Sequence, residues 1–115
     1  ASPGADRIAP RLEDLVGLDE AAFRRRFGGT ALARAGRRGL LRNACVALGN
    51  WREPAAVPCL AGVLADDEPL VRGHAAWALG RAGTTGARQA LARARKREPD
   101  PWVCSEIDSA LAGEA

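Results

Sequence analysis

The strongest order in this chain is an apolar pattern that returns. Leu40-Leu41-Arg42-Asn43-Ala44-Cys45-Val46-Ala47-Leu48-Gly49 lies over Val71-Arg72-Gly73-His74-Ala75-Ala76-Trp77-Ala78-Leu79-Gly80 without a gap, at a shift of 31 residues. A shift of 32 carries Pro69-Leu70-Val71 onto Pro101-Trp102-Val103 and Ala78-Leu79 onto Ala110-Leu111. At 100° per residue, Leu40, Leu41, Ala44, Cys45 and Leu48 fall within an arc of about 140°, with Arg42 about 130° from its centre, so each copy predicts a helix that is apolar on one side. Gly49 and Gly80 are predicted to stop the first two copies, and Pro69 and Pro101 to open the next two behind the acidic Glu68 and Asp100. Between copies, Val57, Leu60 and Leu64, then Ala87, Leu91 and Ala94, keep helical spacing and predict partner helices over 54–65 and 85–98. Upstream, the pattern predicts a short helix and turn over 12–20, then a helix over 20–27 capped by Asp19, with Phe23 and Phe27 on one ridge. A further helix is expected from Ala31 towards Arg38, capped by Thr30 and weakened by Gly36 and Gly39.

Helix pairs that repeat at a fixed step cannot bury their apolar faces singly, and stacking them gives an all-α fold, an α-α superhelix. Almost no alternating run of β-branched residues competes with that reading. The step is shorter than the roughly 40 to 47 residues of eukaryotic HEAT or armadillo repeats, and the ankyrin and tetratricopeptide signatures are absent. Val71 to Gly80 resembles the short HEAT-like repeat typified by the phycobilin lyases, V-R-x-x-A-A-x-A-L-G. The expected organisation is a single domain: a flexible segment over 1–10, a basic helical lead-in over 11–38, and a right-handed solenoid of about three HEAT-like repeats over 39–115.

Charge changes the picture. The 115 residues hold 17 basic and 14 acidic side chains, yet between Ala21 and Arg52 there are eight arginines and no acid. A one-sided positive field calls for a polyanion, and arginine's planar fork suits phosphate. Arg34, Arg38 and Arg42 are spaced by four and would drift only about 80° along a continuous helix, with Arg37 flanking them; such a stripe can track a sugar-phosphate backbone. Arg24, Arg25 and Arg26 are consecutive and point three ways, so at most two share a face.

The remaining candidates read as structural. Trp77 and Trp102 sit within or next to repeat helices and are expected to pack between repeats, leaving Trp51 as the stacking candidate. His74 is the sole histidine and has no partner spacing for a triad or a metal site. Asp66, Asp67 and Glu68 sit where a helix N-terminus favours negative charge. Gly28-Gly29-Thr30 is too short for a phosphate loop. Cys45, Cys59 and Cys104 form no C-x-x-C pair, so neither a disulfide framework nor a metal site is indicated. Without a run of roughly 18 apolar residues or a signal-peptide stretch, the chain is expected to be cytoplasmic, away from membranes and monomeric. The absence of Met, even at position 1, fits either an initiator trimmed before Ala1 or, the favoured expectation, a piece of a longer polypeptide.

Phe23-Arg24-Arg25-Arg26-Phe27-Gly28-Gly29-Thr30, the basic stretch Arg34 to Arg38, Gly39-Leu40-Leu41-Arg42-Asn43 and Ala47-Leu48-Gly49-Asn50 together resemble the C-terminal part of the epoxyqueuosine reductases. The resemblance covers nearly all of positions 12 to 111. It implies a HEAT-like tail that helps hold tRNA in queuosine biosynthesis, with cobalamin and a 4Fe-4S cluster in upstream domains and no catalytic residue, cofactor or metal ligand in this chain. Arg34, Arg37, Arg38 and Arg42 would then be backbone contacts, and Asn43 would tie helix ends. The alternatives are a protein-interaction scaffold, with a protein partner on the solenoid face, and a lyase of the phycobilin type.

Overall fold

The structure, a computed structural model, describes residues 14–16 and 18–113, with the backbone alone over 31–35. The segment expected to be flexible over 1–10, and the side chain of Arg34, lie outside the described residues. Residues 14–16 are helical and bury Val16. Then follow α1 (Glu20–Phe27), α2 (Ala31–Trp51), a 3-10 turn (Pro54–Ala56), α3 (Val57–Val63), α4 (Pro69–Ala82), α5 (Thr85–Arg97) and α6 (Pro101–Ala112). No strand occurs among the described residues.

The three repeat helices α2, α4 and α6 stack side by side in one layer, α3 and α5 form a second, and α1 leans on α2. The result is a slab of 41 × 37 × 18 Å, two helices thick. Its core is the set that helical spacing marks: Leu41, Ala44, Cys45 and Leu48 on α2, Val71, Ala75, Ala78 and Leu79 on α4, and Val103, Ile107 and Ala110 on α6. Val57, Leu60, Ala87, Leu91 and Ala94 close it from the second layer. The caps follow the chemistry of their residues. Asp19 accepts from Ala22 N at 2.7 Å, Thr84 from Ala87 N at 3.0 Å, and Asp100 from Trp102 N and Val103 N at 2.9 and 3.1 Å, each satisfying orphan first-turn donors. Phe23 and Phe27 meet with ring centroids 5.3 Å apart.

Two boundary expectations are corrected. Gly49 and Gly80 do not end their helices; α2 runs on to Trp51, where Arg52 takes φ 56°, and α4 runs to Ala82, where Gly83 takes φ 67°. Gly49 serves close packing instead, because a Cβ there would overlap the Trp77 ring from α4, and at Gly73 one would overlap Trp102 from α6. The second and third repeats thus each seat an indole on a glycine of the repeat before. The second correction is that Gly36, at φ 82° and ψ 154°, breaks α2 internally. The conditional stripe from Arg34 to Arg42 therefore does not run on one continuous helix.

A second inter-repeat device is ionic. Asp66 and Glu98 each stand three residues before the proline that opens the next repeat helix, and each accepts a backbone N–H two residues on, both at 3.0 Å. Arg37 of α2 grips Asp66 with both terminal nitrogens. Arg72 of α4 grips Glu98 at 2.8 and 2.9 Å while Nη1 donates to Asp66 O and Asp67 O. A bidentate fork fixes position as well as charge, so each pair pins one repeat helix to the loop that leads into the next.

Candidate nucleic-acid interface

Beyond the break at Gly36, α2 presents Arg37, Arg38 and Arg42 in three directions. Arg37 lies one, two and three turns before Leu41, Ala44 and Leu48, so it shares their buried arc. Its Nε donates to Leu18 O at 2.6 Å, its other nitrogens hold Asp66, and its side chain is 10% exposed. The hydrogen bond it donates to Asp66 raises its pKa, over the opposing effect of burial. Arg37 therefore braces the loop before α1 and the loop before α4; against the expected phosphate contact, each of its three nitrogens already holds an acceptor and little of its side chain is open.

Arg38 is exposed and keeps no hydrogen-bond or carboxylate partner among the described residues. Arg42, one turn on and on the same flank, is half-buried and donates Nε only to its neighbour Asn43, at 3.2 Å. On α1, Arg25 is exposed without a partner among the described residues, and Arg26 lies over the Phe27 ring at 5.3 Å. Arg24 faces Glu20 at 3.4 Å, but the two side chains are 78% and 59% exposed, so this pair is screened and easily exchanged for a phosphate. The structure thus leaves Arg24, Arg25, Arg38 and Arg42 with donors to offer on α1 and the adjoining half of α2. It withdraws Arg37, and the side chain of Arg34 is outside the description.

The exposed flank of the α2–α4–α6 layer is also aromatic. Trp51 is 36% and Trp102 is 42% exposed. Trp77 is half-buried beneath Arg81, whose guanidinium stands 5.4 Å from its ring. His74 is half-buried with Nδ1 2.8 Å from Leu70 O and its ring 5.8 Å from that of Trp102. Trp102 packs between repeats, as expected, and also offers an open face.

A second basic run lies outside the expected site. Between Thr85 and Arg97 the chain holds Arg88, Arg93, Arg95, Lys96 and Arg97 with no acid, and all five are exposed on α5. Averaging over an acidic C-terminal half hides this run; a window of one helix length exposes it. Among the described residues only Arg95 has a carboxylate partner, Asp108 at 2.8 Å. Because α5 belongs to the second layer, this charge does not merge with that of α2.

The thiols do not fit an iron–sulfur cluster. Cys45, Cys59 and Cys104 stand on α2, α3 and α6, and among the described residues no group of His, Cys, Asp or Glu converges as a metal requires. Burial pushes the Cys45 thiol up to about 12, so it is a core residue and not a nucleophile. No described helix is long and apolar enough to cross a membrane.

The model of the HEAT repeats matches residues 29–112. The chain is 36% identical over 110 residues to the epoxyqueuosine reductase of Bacillus cereus, covering 95% of this chain and 29% of that protein. It is 34% identical over 106 residues to that of Listeria monocytogenes, covering 91% and 28%. Among solved structures it is similar to an epoxyqueuosine reductase crystallised with an epoxyqueuosine-modified tRNA-Tyr stem loop, with a TM-score of 0.81 and 29% identity over 90% of this chain and 28% of that one. The chain therefore spans less than a third of the length of these epoxyqueuosine reductases.

Proposed function

The chain belongs to the HEAT-repeat family, and on that premise we propose that it is the tRNA-holding module of an epoxyqueuosine reductase, gripping RNA by its phosphate backbone. The module supplies position; the cobalamin and 4Fe-4S chemistry belongs to other domains of the polypeptide, which would work in the cytoplasm. The observation that carries this reading is that, among the described residues, Arg25 and Arg38 keep no carboxylate while Arg24 and Arg42 have only weak or neutral partners, although carboxylates elsewhere in the fold are drawn into firm pairs. Guanidinium groups one helical turn apart, as Arg38 and Arg42 are, repel, and a phosphate backbone relieves that repulsion. The relative crystallised with a tRNA stem loop supports the choice of RNA.

A protein-scaffold role is less well served. Among the described residues the exposed large hydrophobic side chains are Trp51 and Trp102, too little apolar surface for the core of a stable protein interface. Four phosphate contacts would give a log-log salt slope of about −3 to −4. We expect Arg38→Glu with Arg42→Glu to weaken binding of a fluorescent tRNA anticodon stem loop at least tenfold at 0.1 M salt, with an unchanged circular dichroism melt. Unaltered affinity in a folded double variant would refute the reading.

A further inference from the structure

On the α2–α4–α6 layer the stacked helices leave a pocket of about 220 Å³, lined by Val46, Gly73, His74, Trp77, Trp102 and Glu106. We propose that this pocket receives a single unstacked guanine base, so that the chain reads one base in addition to holding the backbone. The inference rests on the RNA-holding reading and adds a site to it.

The walls are suited to a flat ring. The benzo edge of Trp102 is seated on Gly73 and that of Trp77 on Gly49, where any Cβ would collide, so both indoles are held in place by their edges. Trp102 nevertheless keeps 42% of its surface open, and base stacking needs such a fixed and accessible face. The volume is below that of ordinary small-molecule pockets, which suits one base and excludes a stack of two.

The polar groups select the base. Glu106 brings a carboxylate, an acceptor only. His74 donates Nδ1–H to Leu70 O, which in the neutral imidazole leaves Nε2 as a second acceptor. Guanine is the one standard base with two adjacent donors, N1–H and N2–H, on its Watson–Crick edge, and a carboxylate can accept both. Adenine and cytosine offer one donor beside an acceptor. Uracil flanks its single donor with two carbonyls, which the carboxylate repels.

Charge around the pocket excludes the rival ligand for an aromatic site with a carboxylate, a cationic side chain. Arg42 stands one turn before Val46 on the same flank of α2, and Arg81 already covers Trp77. The same two cations suit the phosphates on either side of an inserted base.

The test uses the 115-residue chain and two nine-nucleotide RNAs, oligouridine and oligouridine with one central guanosine, measured by anisotropy and by quenching of tryptophan fluorescence at about 50 mM salt. The guanosine oligomer should bind about tenfold more tightly and quench more. Trp102→Ala and, separately, Glu106→Gln should bring it down to the oligouridine level while leaving oligouridine itself within about twofold. Arg38→Glu with Arg42→Glu should weaken both oligomers together. Equal affinities for the two RNAs, or a guanosine preference that survives both pocket variants, would overturn the base site and leave backbone binding standing. Failure to bind either RNA would remove both readings. Quenching by N-acetyl-arginine amide in place of the guanosine oligomer would assign the pocket to a protein side chain, also overturning the proposal.

Discussion

Neighbouring arginines on α2 meet different fates because a helix turns 100° per residue. Arg37 falls on the arc of Leu41 and Leu48 and is buried against Asp66; Arg38 falls on the open flank. Removing Arg37 strands a carboxylate that is itself only 8% exposed, so Arg37→Ala should cost about 2 to 4 kcal/mol in urea unfolding, whereas Arg38→Ala should stay within about 0.5 kcal/mol. An equal effect of the two would refute this division. The Arg72–Glu98 pair carries a pH dependence of definite sign. Burial alone would raise the Glu98 pKa, but the hydrogen bonds from Arg72 and from Asp100 N–H outweigh it and hold the carboxyl below its usual range. A depressed folded pKa adds stability above the unfolded value of about 4.3, lost as pH falls through the folded one. Unfolding free energy should therefore decline below about pH 4.5, and Glu98→Gln should flatten that decline.

At the scale of elements, glycine does three jobs that one letter cannot distinguish. Gly83 closes α4 in the left-handed conformation, Gly36 breaks α2 at a φ and ψ open in practice to glycine alone, and Gly49 stays helical to admit an indole. Gly36→Ala should cost about 1 to 3 kcal/mol through the backbone. Gly49→Ala should cost a similar amount by displacing Trp77, with a change in tryptophan fluorescence that Gly36→Ala does not produce. These uses mark the limit of what the sequence discloses. The repeat, its apolar faces, the partner helices and the Asp19 and Asp100 caps were all legible, because periodicity and capping are local. The helix break at Gly36, the ends at Arg52 and Gly83, and the pairing of Arg37 with a residue 29 positions away depend on neighbours that stacking supplies. Arg37's burial is implicit in the helical spacing it shares with the core, although its charge favours the surface. The pocket could not, because its six residues come from three helices.

Across the whole molecule, basic side chains occupy both layers: the α1 and α2 group on one, and Arg88, Arg93, Lys96 and Arg97 of α5 on the other. Either the summed field attracts RNA, or one surface holds it. The dimensions decide between these. The slab is 18 Å thick, and at 0.15 M salt the Debye length is about 8 Å, so charge on the far layer is largely screened from RNA lying on the near one. Arg93→Glu with Lys96→Glu changes the net charge by the same four units as Arg38→Glu with Arg42→Glu, which makes the two variants a matched pair. The α2 variant should reduce the magnitude of the log-log salt slope for the stem loop by about 1.5 to 2, the loss of two contacts, while the α5 variant should leave it unchanged within error. Equal loss in both would mean that RNA answers to the overall charge and not to placed guanidinium groups. Loss in the α5 variant alone would move the binding surface to the second layer.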